Sequence, residues 1–238
     1  MKIFRPLKSN WKTQGFGESK ACCKTDIKGR IIFPTTIIGK WKNICPSGFR
    51  DFYKAIGLKS HNGEDWSCWT GEPIYFPVDA NCEWWARNEI DSDSGKGLDV
   101  FSDRPIPIGD LPIECGKSAQ ESFEQHEGAV WVKFRFWHLS KSLIQDDGKI
   151  KLGDLIALGG NSGASSNSHL HWSLKIVDQD SRTLDKSNGW YGATDFSKYY
   201  ENVFVGDIVR VKKQALNAID LAIKVIFLAR QYIQKMVK

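Results

Sequence analysis

Four of the five histidines stand in patterns that suit metal and acid–base chemistry. His61 and Asp65 are four residues apart in HNGED, and His169 and His171 are two apart in SHLHW. Side chains two or four apart along an extended strand point to one side. His169 and His171 therefore share a face, while Leu170, Trp172, Leu174 and Ile176 take the other. His61 and Asp65 converge likewise if HNGED is extended, with Gly63 leaving room between them. A catalytic zinc takes three protein ligands and keeps one position open. His61, Asp65 and one histidine of HLH supply two nitrogens and one oxygen for it. The other HLH histidine then stands beside that position, about 6–7 Å along the strand. His138, in FWHLS, adds an imidazole from across a cleft. The helical H-E-x-x-H arrangement is absent. His126, in the polar QHEG stretch, reads as a solvated loop residue.

The elements that must position these groups are mostly strands. Up to about residue 206, short apolar runs are punctuated by Gly, Pro, Asn and Asp. RIIFPTTIIG, EPIYFPV, AVWVKFRFWHL, DLIALGG and HLHWSLKIV are the clearest. In AVWVKFRFWH the two-residue period puts Val130, Val132, Phe134, Phe136 and His138 on one face. Trp131, Lys133, Arg135 and Trp137 occupy the other. Between Phe101 and Gly128 a polar stretch with Pro105, Pro107 and Pro112 reads as a loop insertion. After Gly206 the period becomes helical: Asp207 is placed to N-cap a helix over 207–238. Val211, Ala215, Ala218, Ile219, Ala222, Ile226, Ala229 and Ile233 follow helical spacing. Lys212, Lys213, Lys224, Arg230, Lys235 and Lys238 make that helix basic. It is expected to dock on its own domain or a neighbouring copy, with membrane-surface or wall contact as the alternative.

Composition narrows the class. The 238 residues include 33 Lys+Arg against 28 Asp+Glu, and 41% are hydrophobic, which excludes wholesale disorder. The length suits one domain with a short appendage. Ten Trp, 13 Phe and 6 Tyr suit a β-rich fold with a lined cleft. No apolar run reaches the ~18 residues that span a bilayer, and the start lacks the apolar core of a secretory signal. Cys22, Cys23, Cys45, Cys68, Cys82 and Cys115 show no C-x-x-C spacing and are expected to be reduced structural thiols. Nucleic-acid binding is not expected, because no zinc-finger spacing, RNP motif or strongly basic face occurs. The loop GGNSGASSNS lacks the Gly-Lys-Ser/Thr ending of a phosphate-binding loop.

These motifs together resemble the lysostaphin-type (LytM-like) zinc metallopeptidases, peptidoglycan endopeptidases with the β-rich duplicated hybrid motif. HNGED is similar to the family's H-x-G-x-D element, SHLHW to its H-x-H element and FWHLS to its aromatic-x-HL segment. KLGDLIALGGNSGASSNSHLHW, TQGFG, TGEPIYFPVD and GKGLDV fall in the family's order, over residues 11–200. Asn167, Ser168 and Ser173 depart from the usual pattern.

The resemblance implies a mainly antiparallel β domain over 1–206, interrupted by the 101–128 insertion. It implies a single zinc ion on His61, Asp65 and His171, with His169 and His138 in the positions of the catalytic histidines. His169 would act as the base towards water and His138 as the oxyanion stabiliser. The implied reaction is hydrolysis of stem or cross-bridge peptides of peptidoglycan. A catalytically silent wall-binding or scaffold module of the same fold is the alternative. With no visible signal, the expectation is a protein made in the cytoplasm that acts on the wall after release, or a virion-associated one, as for a phage or prophage lysin.

Overall fold

A computed structural model describes residues 1–18, 24–25, 31–32, 52–91, 95–163, 165 and 167–236. Cys22, Cys23, Cys45, Lys238 and all of RIIFPTTIIG except Ile31 and Ile32 lie outside the described residues. In chain order the strands begin with β1 (Lys2–Arg5), β2 (Lys12–Gln14), β3 (Lys24–Thr25) and β4 (Ile31–Ile32). A short helix α1 (Phe52–Ala55) precedes β5 (Glu64–Ser67), β6 (Pro73–Tyr75), β7 (Val78–Asp79), β8 (Trp84–Asp91), β9 (Gly95–Ser102) and β10 (Ile106–Pro107). Helix α2 (Lys117–Gln125) leads to β11 (Ala129–Trp137), β12 (Lys141–Ser142), β13 (Lys149–Ile150), β14 (Leu155–Leu158) and β15 (His169–Val177). The chain ends in β16 (Ala193–Thr194), β17 (Tyr200–Phe204) and the long helix α3 (Val205–Met236). The fold is mainly β with antiparallel sheets and a C-terminal helix, as the patterning implies.

The principal sheet runs β13-β8-β9-β11-β15-β5-β2, with β10 also on β11 and β16 on β15. Its pairs are antiparallel. The long strands form because their alternation is clean. Val130, Val132, Phe134 and Phe136 of β11, and Leu170, Trp172, Leu174 and Ile176 of β15, are all buried on one face. Each such side chain contributes about 1.5–3 kcal/mol by leaving water. Trp172 stacks on Phe134 and Phe136 and meets Phe196 edge-on at 4.7 Å. The smaller sheet β12-β14-β6 adds Ile74 and Ile156 to this core.

Four features differ from the sequence expectation. The 101–128 stretch is not one loop: it contains β10 and α2, and Ile106, Ile108 and Ala119 are buried. The α2 N-terminus has no cap of its own. Instead the distant Asp185 carboxylate accepts from the amides of Gly116, Ser118 and Ala119 at 2.8, 3.2 and 3.0 Å. His126 is not a solvated loop residue. It ends α2, donates from Nδ1 to the Ser122 carbonyl at 2.7 Å, and packs edge-on against Trp131. Helix α3 starts at the buried Val205, directly after β17. Asp207 thus lies inside the first turn, where it pairs with Arg210 at 3.1 Å, and is not the N-cap. Beyond its first turns α3 does not dock on its own domain: every side chain from Arg210 to Leu228 is exposed. The described cysteines, Cys68, Cys82 and Cys115, are free thiols.

Candidate metal centre

The site is built on the face of the principal sheet opposite the core. Register pairs His171 of β15 with Asp65 of β5 on one side and Trp137 of β11 on the other. This pairing puts the Asp65 carboxylate against the His171 ring, with Oδ1 2.9 Å from Nδ1. His61 precedes β5 rather than lying in it, and Gly63 makes the bend that brings its ring back. A Cβ at Gly63 would lie 2.5 Å from the Trp172 carbonyl and 2.8 Å from Cε1 of His171. Only glycine fits between the two ligand-bearing segments.

The His61 Nε2 atom lies 3.0 Å from His171 Nδ1 and 3.2 Å from Asp65 Oδ1. Among the described residues, His61, Asp65 and His171 form a cluster whose donor atoms all lie within 4.8 Å of one another. The closest separations, 2.9–3.2 Å, fall a few tenths of an ångström short of the ~3.3–3.5 Å edge expected for ligands ~2.0–2.1 Å from a tetrahedral zinc. The ring of His61 is oriented from behind. Its Nδ1 donates to the Gly15 carbonyl at 3.0 Å, so Nε2 carries the lone pair that faces the cluster. Tyr53 packs against the same ring at 5.4 Å and donates its hydroxyl to Gln14. Two imidazole nitrogens and one carboxylate oxygen form a donor set that fits zinc. Cys68 is not part of this cluster, and its Sγ lies 4.0 Å from Ser168 Oγ.

Electrostatics favour a charged Asp65. Burial acts to raise its pKa, but the adjoining His171 and His61 rings outweigh burial and hold the carboxyl well below the usual range. Burial pushes His171 down despite the pull of Asp65, which keeps its ring neutral, as a ligand must be.

His169 and His138 stand on the same side. Nε2 of His169 is 3.6 Å from Asp65 Oδ1, and its ring centroid is 4.6 Å from that of His138. By strict alternation His138 would join Phe136 on the core face. It lies just past β11 with a positive φ of 63°, and this left-handed residue turns its ring over to the site. A non-glycine residue in that region carries backbone strain, which packing must compensate. His138 donates Nδ1–H to the Ser162 carbonyl at 2.9 Å. His169 donates Nδ1–H to the Asn167 carbonyl at 2.8 Å and lies 3.0 Å from Ser165 Oγ. Carbonyls only accept, so both rings hold their proton on Nδ1 and present a bare Nε2. Burial, reinforced by the neighbouring His169 and His171 rings, pushes His138 down to about 3.

All five sequence-identified residues therefore come together. The groups that orient them, Gly15, Ser162, Ser165 and Asn167, were not identified as orienting groups. Three of these act through main-chain carbonyls, which leave no mark in a sequence.

No known protein-family profile matches the chain. An uncharacterized metalloprotease of Haemophilus influenzae is 29% identical over 119 residues, or 50% of this chain and 19% of that protein. A zinc containing peptidase from Vibrio cholerae aligns with a TM-score of 0.39 at 18% identity, covering 77% of this chain and 39% of that one. The catalytic domain of lysostaphin from Staphylococcus simulans aligns with a TM-score of 0.35 at 19% identity, covering 58% of this chain and 76% of that domain. The chain thus spans less than two thirds of the Haemophilus and Vibrio proteins.

Proposed function

We propose that this chain, which resembles the lysostaphin-type metallopeptidases, is a zinc-dependent endopeptidase acting on peptide bonds of bacterial peptidoglycan. One observation supports it above the rest: three donors suited to zinc converge beside two further imidazoles, each presenting an unprotonated Nε2. A silent module would have no use for that second pair.

His61, Asp65 and His171 would hold the ion, through Nε2, Oδ1 and Nδ1. Zinc bound there would supply Lewis-acid polarisation of the scissile carbonyl and would acidify water towards a pKa of ~7. The Nε2 of His169 accepts the proton of the attacking water and delivers it to the leaving amine. Its Nδ1–H bond to Asn167 fixes the ring for both transfers. His138 needs a second proton before it can donate to an oxyanion, because Ser162 already takes its Nδ1–H. In its neutral form the Nε2 of His138 accepts instead, and helps His169 orient the water. Arg135 pairs bidentately with Asp99 and lies over the ring of Trp137, the residue that register sets beside His171.

The test is digestion of purified peptidoglycan with mass-spectrometric identification of new amino termini. Wild type should release them, a chelator should stop release, and added zinc should restore it. Asp65→Ala should be inactive. Full activity of Asp65→Ala, or release indifferent to chelation, would refute the assignment.

A further inference from the structure

Helix α3 concentrates two properties. Among the described residues, nine of the 17 exposed large apolar side chains lie between Val211 and Leu228. Seven of the 33 Lys+Arg and two of the 28 Asp+Glu lie from Val205 to Lys238, leaving 26 of each before it. The whole net charge of +5 therefore belongs to this segment.

The two properties are arranged around the helix. Leu216, Ile219, Ile223 and Ile226 form one stripe at spacings of three and four. Leu221 and Leu228, seven apart, lie on another side, so apolar surface covers well over half the circumference. A narrow polar strip remains, with Lys213, Asn217, Asp220 and Lys224. Asp220 and Lys224 pair at 2.7 Å. The helix root is held to the domain: Val209 fills the space over Gly153, and Lys212 pairs with Asp79 at 2.7 Å.

We propose that α3 is an interfacial anchor that lies along the surface of an anionic lipid bilayer. A broad apolar arc with a basic polar strip suits insertion at the headgroup boundary. The net +5 complements anionic headgroups. A second copy fits less well. A two-stranded coil buries one narrow seam, which would leave either the isoleucine stripe or Leu221 and Leu228 in water and bring two positive helices together. Among the described residues no helix is long and apolar enough to cross a membrane. The proposal does not depend on what the β domain hydrolyses.

The experiment is co-sedimentation of the full chain with vesicles of phosphatidylcholine alone or mixed with phosphatidylglycerol. Binding should be about tenfold or more stronger to the mixed vesicles and should weaken with salt. An Ile219→Glu/Ile223→Glu variant should not bind, and Lys213→Gln/Lys224→Gln should lose about tenfold or more. Unchanged thermal melting shows that each variant remains folded. Absence of binding, equal binding to both vesicle types, or a helix-dependent dimer in place of binding overturns the proposal.

Discussion

The sheet that carries the histidines and the helix that leaves it treat apolar side chains in opposite ways. In β11 and β15 the residues Val130 to Phe136 and Leu170 to Ile176 bury one face completely. Their other face supplies groups whose partners are all within the domain. In α3 the apolar residues are as dense, yet every side chain from Arg210 to Leu228 is exposed. The same residue types thus make a self-sufficient structure in one region and an unsatisfied one in the other. The difference is period. Two-residue alternation closes on neighbouring strands, whereas a lone helix needs a surface from elsewhere.

The sharpest break of this contrast is chemical. His171→Ala should remove zinc binding and reduce peptidoglycan hydrolysis by about 10³-fold or more, with vesicle binding through α3 unchanged. Next comes packing: Phe134→Ala should cost about 3–5 kcal/mol in denaturant unfolding. Ile223→Ala, on the exposed helix, should change stability by less than about 0.5 kcal/mol. Equal effects at the two positions would mean that α3 packs on the domain in solution. Gly63→Ala tests the close approach of the bend before β5 to His171. It should displace the His171 ring and lower hydrolysis by about 10²-fold while zinc content falls. Asp185→Ala should cost about 1–2 kcal/mol by uncapping α2, measured by the same unfolding assay.

The remaining prediction is a pH dependence. Lys175 of β15 is buried and donates to the Tyr191 carbonyl at 2.7 Å. Burial, aided by Arg135 and Lys133, pushes it down from the usual 10.5 to about 7. Between pH 7 and 10.5 the unfolded chain binds a proton that the folded chain does not, so this group makes stability rise with pH across that window. Lys175→Met should lose that rise, and a parallel pH profile in the two proteins would contradict it.

Much of this was legible in the sequence because the relevant signals were local. The alternation of HLHWSLKIV placed both histidines opposite Trp172, whereas HNGED, read as extended, bends at Gly63 and leaves His61 outside β5. The 101–128 stretch was opaque for the opposite reason. Its α2 helix starts without a side-chain cap of its own, and the capping carboxylate comes from Asp185, 66 residues beyond Ala119. Three prolines in that stretch also pointed to loop. His138 was placed at the cleft by its motif but on the core face by alternation, because alternation cannot anticipate a left-handed residue at a strand end. The orienting carbonyls of Gly15, Ser162 and Asn167 carry no residue identity at all. The helical period of α3 was plain, whereas its exposure depends on what lies beside it.

The central claim is that His61, Asp65 and His171 together hold one zinc ion. Zinc-edge X-ray absorption on the purified full chain tests it most directly. The account predicts near-stoichiometric zinc with two imidazole nitrogens and carboxylate oxygen at about 2.0–2.2 Å, lost in His171→Ala. Sulfur ligation at about 2.3 Å, or the same spectrum in His171→Ala, would contradict it.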